Sequence, residues 1–497
     1  TLFAFMAGAR ISSLRAAIMI GLYLMAEWVD REPDAPTALS LAALIFGIHN
    51  PDVIFMAGFQ LSFLSIASIL LFRPMLEGLL ERCPHWMQEG IATTVSVQLL
   101  PLPAAILAFH IMPIAGLLLN LLIIPLLSIV LWLAFMTTLC LYLCPPIAQW
   151  FAYALLPLVA MIEGLANFVS TLSFGHVYLS SPSVVSIYAY AIGMFAVWCW
   201  IYAPKPSPKA LRVAALSLLV CIVCWTPRSH EAHIIFLDVG HGDAAVVQTE
   251  DRKTILIDGG NANAYLDMGK QVVAPYLWSH HISRIEAIFV SHVDSDHLGG
   301  LSYVLEHFPV EVIYTPPRFS ESHEGRQFLE VCARTHTPVR TLVSGDTLAI
   351  GEATIQVLHP VAASMEPLGD NDRSLVFTLE SAGISTLFTG DIEAKAEEMV
   401  FETHAVEVDL VKVPHHGSNT SSSAIFFEAV DAKQAIVSSG MRQGKPLART
   451  SILQLYRDAA IPFHRTDYLG SVRVIRQGDA LVVSNAREAQ GIAHRRE

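Results

Sequence analysis

Long apolar runs fill the first 226 residues, near 12–29, 37–49, 52–73, 91–111, 113–143, 146–172, 183–203 and 210–226. A spanning helix takes roughly 20 apolar residues, so this half predicts a multi-pass bundle of about seven or eight helices. The run Thr37–Asn50 is short, and the run ending at Cys144 is long enough for one tilted helix or a broken pair. From Ile91 to Pro204 the only Asp, Glu, Lys or Arg is Glu163, a pattern that places the segment in lipid. After a polar linker, TPRSHEAH, the period shortens to β-like runs: IIFLDV, AAVVQT, TILID, EAIFVSH, VEVIYT, TIQVLH, SLVFTLE, STLFTGD, VDLVKVPH, QAIVSS, SVRVI and ALVVS. Helical stretches fall between them at 264–279, 299–307 and 450–460, so the second half predicts layered α/β architecture.

Composition sharpens this division. The whole chain is 53% hydrophobic and 15% charged with net charge −13, which excludes a disordered chain, a disulfide mini-protein and a basic nucleic-acid-binding domain. Residues 1–228 hold nine Lys/Arg and nine Asp/Glu, leaving 22 basic and 35 acidic residues for 229–497. The membrane half is therefore about 8% charged and neutral, while the second is about 21% charged, ordinary for a soluble domain, and carries the entire net charge. We place the domain boundary at residue 228. Lys205, Lys209 and Arg212 cluster in the hairpin APKPSPKALR, which the positive-inside rule assigns to the cytoplasm. One further crossing then puts the acidic domain on the periplasmic or extracellular face, with Arg228 the only opposing charge. Six of seven cysteines lie in the bundle; Cys332 alone lies in the acidic half, so no disulfide framework forms there.

The first residue is Thr, and no basic segment followed by a cleavage site is visible. A signal peptide is not expected, and the chain reads as an N-terminally truncated piece. Polar residues inside the apolar half are costly at bilayer depth and tend to face a pore or a partner. Arg15, Gln60, Gln98, Asn120 and Glu163 are the pore-lining candidates. The competing reading is a snorkelling Arg, as at Arg10, and amides that hydrogen-bond between helices.

The densest chemistry is SHVDSDHLGG, where His292, Asp294, Asp296 and His297 follow the apolar strand EAIFV and precede a helix. Four N/O donors within six residues at a strand-to-helix turn converge readily on one divalent ion, and mixed imidazole and carboxylate donors suit Zn²⁺, Mn²⁺ or Fe. Asp391 in LFTGDIE and His415 and His416 in VPHHGSNTSSS sit at further strand ends.

This ordered set resembles the metallo-β-lactamase superfamily, which implies an αββα sandwich holding one or two metal ions at one edge. The superfamily's usual first motif has a His where this chain has Asp294, a change that favours harder oxygen ligation and Mn²⁺ beside Zn²⁺. FLDVGHGDAAVV, ILIDGG, VVAPYLW, SHVDSDHLGG, NDRSLVFTLE, LFTGDIE, LVKVPHHGS and HRTDYLGSVRV together resemble the acidic domain of the ComEC family of competence proteins. SSLRAAIM, GFQLSF and LLNLLIIPLL resemble its membrane domain. The resemblance implies a DNA-uptake channel in the bacterial inner membrane. Double-stranded DNA would be met outside, one strand hydrolysed there, and the single strand passed through the bundle. Its implied partners are a periplasmic or surface DNA receptor, a cytoplasmic translocation partner and a second copy of the chain. Metal would be held by His292, Asp294, Asp296, His297, Asp391 and His415 or His416, with Asp294, Asp296 and Asp391 catalytic and Asp391 bridging. Asp243 and Asp258 would orient ligands. Lys412, Ser418 and Asn419 would contact phosphate or serve the fold.

Departures from the family pattern are specific. His241 stands where a Gln is usual, read here as a structural replacement. Leu447 and Ala448 stand where a His-Pro pair is expected. The family's earlier helices and OB-like domain do not precede Thr1, which accords with truncation. Acidity opposes nucleic-acid binding, because such proteins show a basic patch and the only basic cluster here is the C-terminal HRRE. No Gly-x4-Gly-Lys-Ser/Thr is present, so translocation energy would come from a partner or a gradient. Two rival functions stand beside the nuclease: a membrane-anchored hydrolase of a small phosphoester or lipid, and a channel whose metal domain binds DNA without cleaving it.

Overall fold

The computed structural model describes residues 10–112, 114–170, 177–203, 207–225, 231–361, 368–442 and 445–485, with Gly8, Leu172 and Gly175. Lys205, Arg228 with most of its linker, and the C-terminal basic cluster lie outside the described residues. The chain divides into two units, Thr1–Thr226 and Pro227–Glu497.

The first unit is helical: α1 (Ile11–Trp28), α2 (Ala35–His49), α3 (Ala57–Leu79), α4 (His85–Leu99), α5 (Leu102–Phe109), α6 (Ile114–Leu143), α7 (Pro145–Ser170), α8 (Val184–Tyr202) and α9 (Pro208–Cys224). Local chemistry sets the ends. Asp34 caps α2 by accepting the Thr37 N–H at 2.8 Å, and Ser183 caps α8 through the Ser186 N–H at 3.1 Å. The run 91–111 becomes a pair bent by 63° between α4 and α5, because Pro101 and Pro103 supply no N–H to continue the ladder. The run ending near Cys144 is one helix despite Pro125 inside it. Among the described residues five helices are long and apolar enough to cross a bilayer, or six if the bent pair is one span; α2, with 15 residues, and α9, with 17, are shorter. Many buried positions are small, among them Ala42, Ser68, Ala92, Ser96, Ser186 and Ser217, beside the larger Phe63, Phe72 and Ile106; small residues suit places where membrane helix backbones approach. Large apolar side chains such as Leu131, Trp150 and Leu218 are exposed. A two-residue ladder, β1 (Ile111–Met112) with β2 (Val177–Tyr178), joins two of the connections.

The second unit contributes β3 (His233–Phe236), β4 (Ala245–Gln248), β5 (Thr254–Ile257), β6 (Ile285–Phe289), β7 (Val310–Thr315), β8 (Val339–Thr341), β9 (Thr347–Ile350), β10 (Ala353–His359), β11 (Val376–Ser381), β12 (Ile384–Phe388), β13 (Val406–Lys412), β14 (Val430–Val437), the short pair β15 (Met441–Arg442) and β16 (Lys445–Pro446), β17 (Phe463–Arg465), β18 (Val472–Gln477) and β19 (Ala480–Asn485). An eight-stranded sheet runs β19-β18-β3-β4-β5-β6-β7-β8 and a seven-stranded sheet runs β17-β14-β13-β12-β11-β10-β9. Each sheet is antiparallel at one end and parallel at the other: β5 to β8 in the first and β12, β13, β14, β17 in the second. Phe236, Val247, Ile255 and Phe289 of the first sheet pack on Phe377, Phe388, Leu410 and Ile436 of the second. Behind the second sheet, helices Ala394–Phe401, Ala424–Ala429 and Thr450–Asp458 bury Val400, Phe426 and Tyr456. Helices Ala274–Ser279, Leu301–His307 and His323–Arg334 bury Leu277, Val304 and Phe328, and alternate residues Val246, Leu256 and Ile288 of the first sheet are also fully buried. A sheet covered on both faces reads this way. The architecture is the αββα sandwich.

Asp409, buried on β13, ties strands together. It accepts from the Ser385 N–H of β12 at 3.1 Å, Lys433 of β14 at 2.8 Å and Arg476 of β18 at 2.5 Å. Burial alone would raise its pKa, but Lys433, the Ser385 N–H and Arg476 hold it down at about 2. A folded value below the unfolded one means the stabilisation is complete above about pH 4 and is lost as pH falls through about 2. Asp409→Ala is therefore expected to cost about 1–3 kcal/mol at neutral pH, a gap that closes in thermal melts recorded toward pH 2.

Candidate metal centre

Topology brings the chemistry to one edge. Asp258 and His292 lie just past the C-terminal ends of parallel β5 and β6, and Asp243 just before β4, which is antiparallel to β5. Asp391 follows β12, Lys412 ends β13 and Ser438 follows β14, three of the parallel strands of the other sheet. Strand ends of this kind are where α/β folds gather functional groups.

Four buried side chains, Asp243, His297, Asp391 and His416, present ligand atoms within 4.8 Å of one another, and His241, Asp296 and His416 form an adjoining group. His416 Nε2 lies 3.1 Å from Asp391 Oδ2, 3.4 Å from Asp296 Oδ2 and 3.3 Å from His297 Nε2. His297 Nε2 is 3.3 Å from Asp391 Oδ2. Each imidazole is oriented from behind. His297 Nδ1 lies 2.9 Å from Asp258 Oδ2, which also accepts from the Ser291 hydroxyl, and His416 Nδ1 lies 2.9 Å from the Ser438 carbonyl oxygen. Asp391 is fixed through its own N–H, which donates to Ser374 Oγ at 3.1 Å.

The sequence assignments divide accordingly. Asp296, His297, Asp391 and His416 meet, and Asp258 orients His297. Asp243, assigned to orient ligands, is itself one of the converging donors. His292 is buried with its ring 4.2 Å from that of His297, but it and half-exposed Asp294, 3.6 Å from it, stand outside the two groups. His415 turns away: consecutive left-handed backbone angles at His415 and His416 (φ 46° and 54°) separate the two rings, and His415 Nδ1 pairs with Thr420 Oγ1 at 3.0 Å and Glu393 at 3.2 Å. Lys412, read as a phosphate contact or as a part of the fold, is buried, donates to the Gly390 carbonyl at 2.8 Å and pairs with Asp391 at 3.0 Å and with Asp243. Ser418 accepts from Thr420, and exposed Asn419 accepts from Ser451 at 2.8 Å. In the first unit, Arg15 donates to the Ser62 carbonyl and Gln60 to that of Ile54 at 3.0 Å, Gln98 and Asn120 are half-buried, and Glu163 is exposed. No hydrogen bond or ion pair among the described residues joins any two of these five.

His241 is the residue the sequence reading missed as chemistry. Its Nε2 lies 3.5 Å from Asp296 Oδ2 and its ring 5.1 Å from that of His416. The available signal was its place two residues before Asp243. Leu447 and Ala448 lie beside the same loop: the Leu447 N–H donates to the Gly440 carbonyl, and a Cβ on Gly440 would meet the His241 nitrogen at 2.6 Å.

The electrostatics are those of three carboxylates set among histidines and Lys412. Burial would raise Asp391, Asp243 and Asp296. His416, Lys412 and His297 instead hold Asp391 far below the usual carboxylate range; Lys412 and His416 act likewise on Asp243, and His416 and His297 on Asp296. Reciprocally, burial would lower the histidines, yet Asp391 and Asp258 push His297 up to about 10, and Asp391 and Asp243 raise His416. His241 and His415, lowered by burial, stay neutral donors. His292 Nε2 and Asp243 Oδ1 are buried without a hydrogen-bond partner, a cost a structure bears where a ligand completes the site. The donor set, with Asp243 Oδ1 in it, fits a divalent cation.

Residues 1–204 match the model of the competence protein family, and residues 237–440 match the metallo-beta-lactamase superfamily. The chain is 27% identical over 489 residues to ComE operon protein 3 of Bacillus subtilis, covering 95% of this chain and 62% of that protein. It is 29% identical over 274 residues to competence protein ComA of Neisseria gonorrhoeae, covering 54% of this chain and 36% of that one. It thus spans less than two thirds of the length of either relative. Among solved structures, Zn²⁺-bound PqqB from Methylobacterium extorquens is 12% identical with TM-score 0.34, over 48% of this chain and 99% of that one.

Proposed function

From the matches to the competence-protein and metallo-beta-lactamase models, we propose that the chain serves transformation as a ComEC-type competence protein and that its acidic unit is a metal-dependent phosphodiesterase acting on incoming DNA at the outer face of the bacterial inner membrane. In this reading the helical unit passes the surviving single strand inward. The observation that carries the proposal is the convergence of Asp243, Asp296, His297, Asp391 and His416 at one sheet edge. Those residues, with His241, would hold one or two ions, Mn²⁺ or Zn²⁺ by the mixed O/N donor set. When bound, such an ion polarises a phosphoryl oxygen and makes water nucleophilic near neutral pH. The protein's own contributions are orientation and charge. Asp258 and the Ser438 carbonyl turn the two Nε2 atoms toward the centre, and Lys412 offsets two carboxylates that would otherwise repel a substrate phosphate. Asp294 is half-exposed beside His292.

The positive-inside bias of Lys209 and Arg212 supports a cytoplasmic hairpin and an external acidic unit. A DNA receptor outside and a translocation partner inside complete the path, with a second copy of the chain as a candidate partner. The test is cleavage of end-labelled duplex by the full chain in detergent with Mn²⁺ or Zn²⁺. Cleavage that EDTA stops and Asp296→Ala removes supports the reading; intact DNA after full metal loading overturns it. In cells, Asp296→Ala with normal expression is expected to lose transformation. His241→Ala is expected to weaken metal retention about 10–100-fold in a chelator competition without moving the metal-free melting curve; unchanged retention would remove His241 from the centre.

A further inference from the structure

Beside the metal centre lies a second opening, a cavity of about 200 Å³ into which His292 faces together with Arg318, Phe319, Glu321, Asp370 and Arg373. The two arginines reach it from different sheets. Arg318 follows two prolines past the end of β7, and Arg373 ends a tight turn between β10 and β11. Three features distinguish this cavity from a chance surface dent.

The Arg318 backbone is left-handed (φ 61°), a conformation that costs a non-glycine residue free energy and recurs at functional sites. Its Nε is held by Glu321 at 2.8 and 2.9 Å, so the guanidinium is aimed in advance. Arg373 pairs with Asp370 at 3.3 Å through one terminal nitrogen, while its Nε is buried with no hydrogen-bond partner. Its turn is anchored, since Asp372 accepts the Glu393 N–H at 2.8 Å and its carbonyl lies 2.8 Å from His359 Nε2. The next residue, Ser374, holds Asp391. The buried His292 Nε2, also without a hydrogen-bond partner, borders the same space.

From this placement we propose that the cavity is a phosphate subsite, where Arg318 and Arg373 grip a backbone phosphate of a single nucleic-acid strand next to the phosphodiester at the metal centre. Guanidinium forks suit phosphate oxygens geometrically, and the volume, below that of pockets for drug-sized ligands, suits a phosphate with part of its sugar. The subsite also answers the acidity of the unit, because it supplies two fixed cations at the centre without a basic surface. Glu321 and Asp370 neutralise them in the empty state, so the grip is local and not a long-range attraction. The inference rests on the nucleic-acid reading above.

The test is binding of a short single-stranded oligonucleotide with cleavage-resistant phosphorothioate linkages to the Mn²⁺-loaded full chain in detergent, over a salt series. The Arg318→Ala/Arg373→Ala variant is expected to bind at least about tenfold more weakly, with the slope of log affinity against log salt reduced by about 0.7, one single-strand phosphate neutralised. The corresponding Lys variant keeps the slope but not the full affinity. Mn²⁺ content stays at the wild-type level in both, which separates lost grip from a damaged centre. An oligonucleotide that binds wild type and the double Ala variant equally overturns the subsite alone. One that fails to bind the wild type overturns both the subsite and the nucleic-acid reading.

Discussion

Asp391→Ala is expected to empty the metal centre and abolish hydrolysis, lowering metal affinity more than about 100-fold and cleavage at least about 10³-fold. The carboxylate is buried and shared: Oδ1 pairs with Lys412 at 3.0 Å, and Oδ2 lies 3.1 Å from His416 Nε2 and 3.3 Å from His297 Nε2. Asp243 also pairs with Lys412 but reaches the two histidines only at Nδ1, at 3.5 Å in His416 and 3.7 Å in His297, so Asp391 is the carboxylate that faces both Nε2 atoms. Removing it leaves Lys412, His297 and His416 crowded without the anion that chiefly raises both histidines. Asp391→Asn separates charge from shape, since it fills the same volume and can still accept from Lys412; it should lose metal nearly as fully. Metal content by mass spectrometry and duplex cleavage by the full chain read the two effects independently. A variant that keeps both stoichiometric metal and cleavage would refute the centre as drawn. The wild type carries a companion expectation. His297, held protonated up to about pH 10 in the metal-free chain, must release that proton to bind a cation, so metal affinity falls as pH is lowered and loading discharges protons into the buffer. Calorimetry in buffers of different ionisation enthalpy measures that release.

How much of this was legible in the sequence depends on how local each feature is. The run VEVIYT is β7 residue for residue, and the helix ends fall within a few residues of the apolar runs, because period and hydropathy are local signals. Strands β8, β9 and β17 were not legible: each has only three or four residues, with polar positions such as Arg340, Thr347 and His464, and their pairing is decided by neighbours far along the chain. The same contrast governs the site. His292 to His297 announced themselves because their donors are packed into one turn. That Asp243 joins them, from about 50 residues upstream, follows from β4 running antiparallel to β5, which a one-dimensional pattern does not record. That His416 faces inward while His415 does not follows from two left-handed backbone angles. Lys412 read as a phosphate contact or a part of the fold, and its pairing with two buried carboxylates brought from other elements is not a local signal.

Gly242→Ala tests whether that long-range placement is what builds the centre, and it is expected to be among the most damaging single-methyl changes in the acidic unit. Gly242 has φ 122°, and a Cβ there would sit 2.0 Å from the Asp296 carbonyl oxygen and 3.0 Å from its Cβ. The turn cannot slide away, since the Asp243 N–H donates to that same Asp296 oxygen at 3.2 Å and the Gly242 carbonyl accepts from Ser438 at 3.0 Å. The methyl must therefore push the Asp296 backbone, and with it a donor of the metal centre. Backbone strain of about 1–3 kcal/mol and overpacking of about 1–3 kcal/mol together approach the smaller end of a domain's total stability, about 5–15 kcal/mol. The expected melting-temperature loss is about 5–20 °C, with metal affinity falling alongside. Gly240→Ala is the internal control: it also lies at positive φ (71°), but no atom stands within 4 Å of its Cβ. It should show the strain without the clash and keep its metal. Equal losses from the two substitutions would mean that the turn is merely strained. A loss confined to Gly242 would mean that contact between the Gly242 turn and the Asp296 backbone positions two of the converging carboxylates at once.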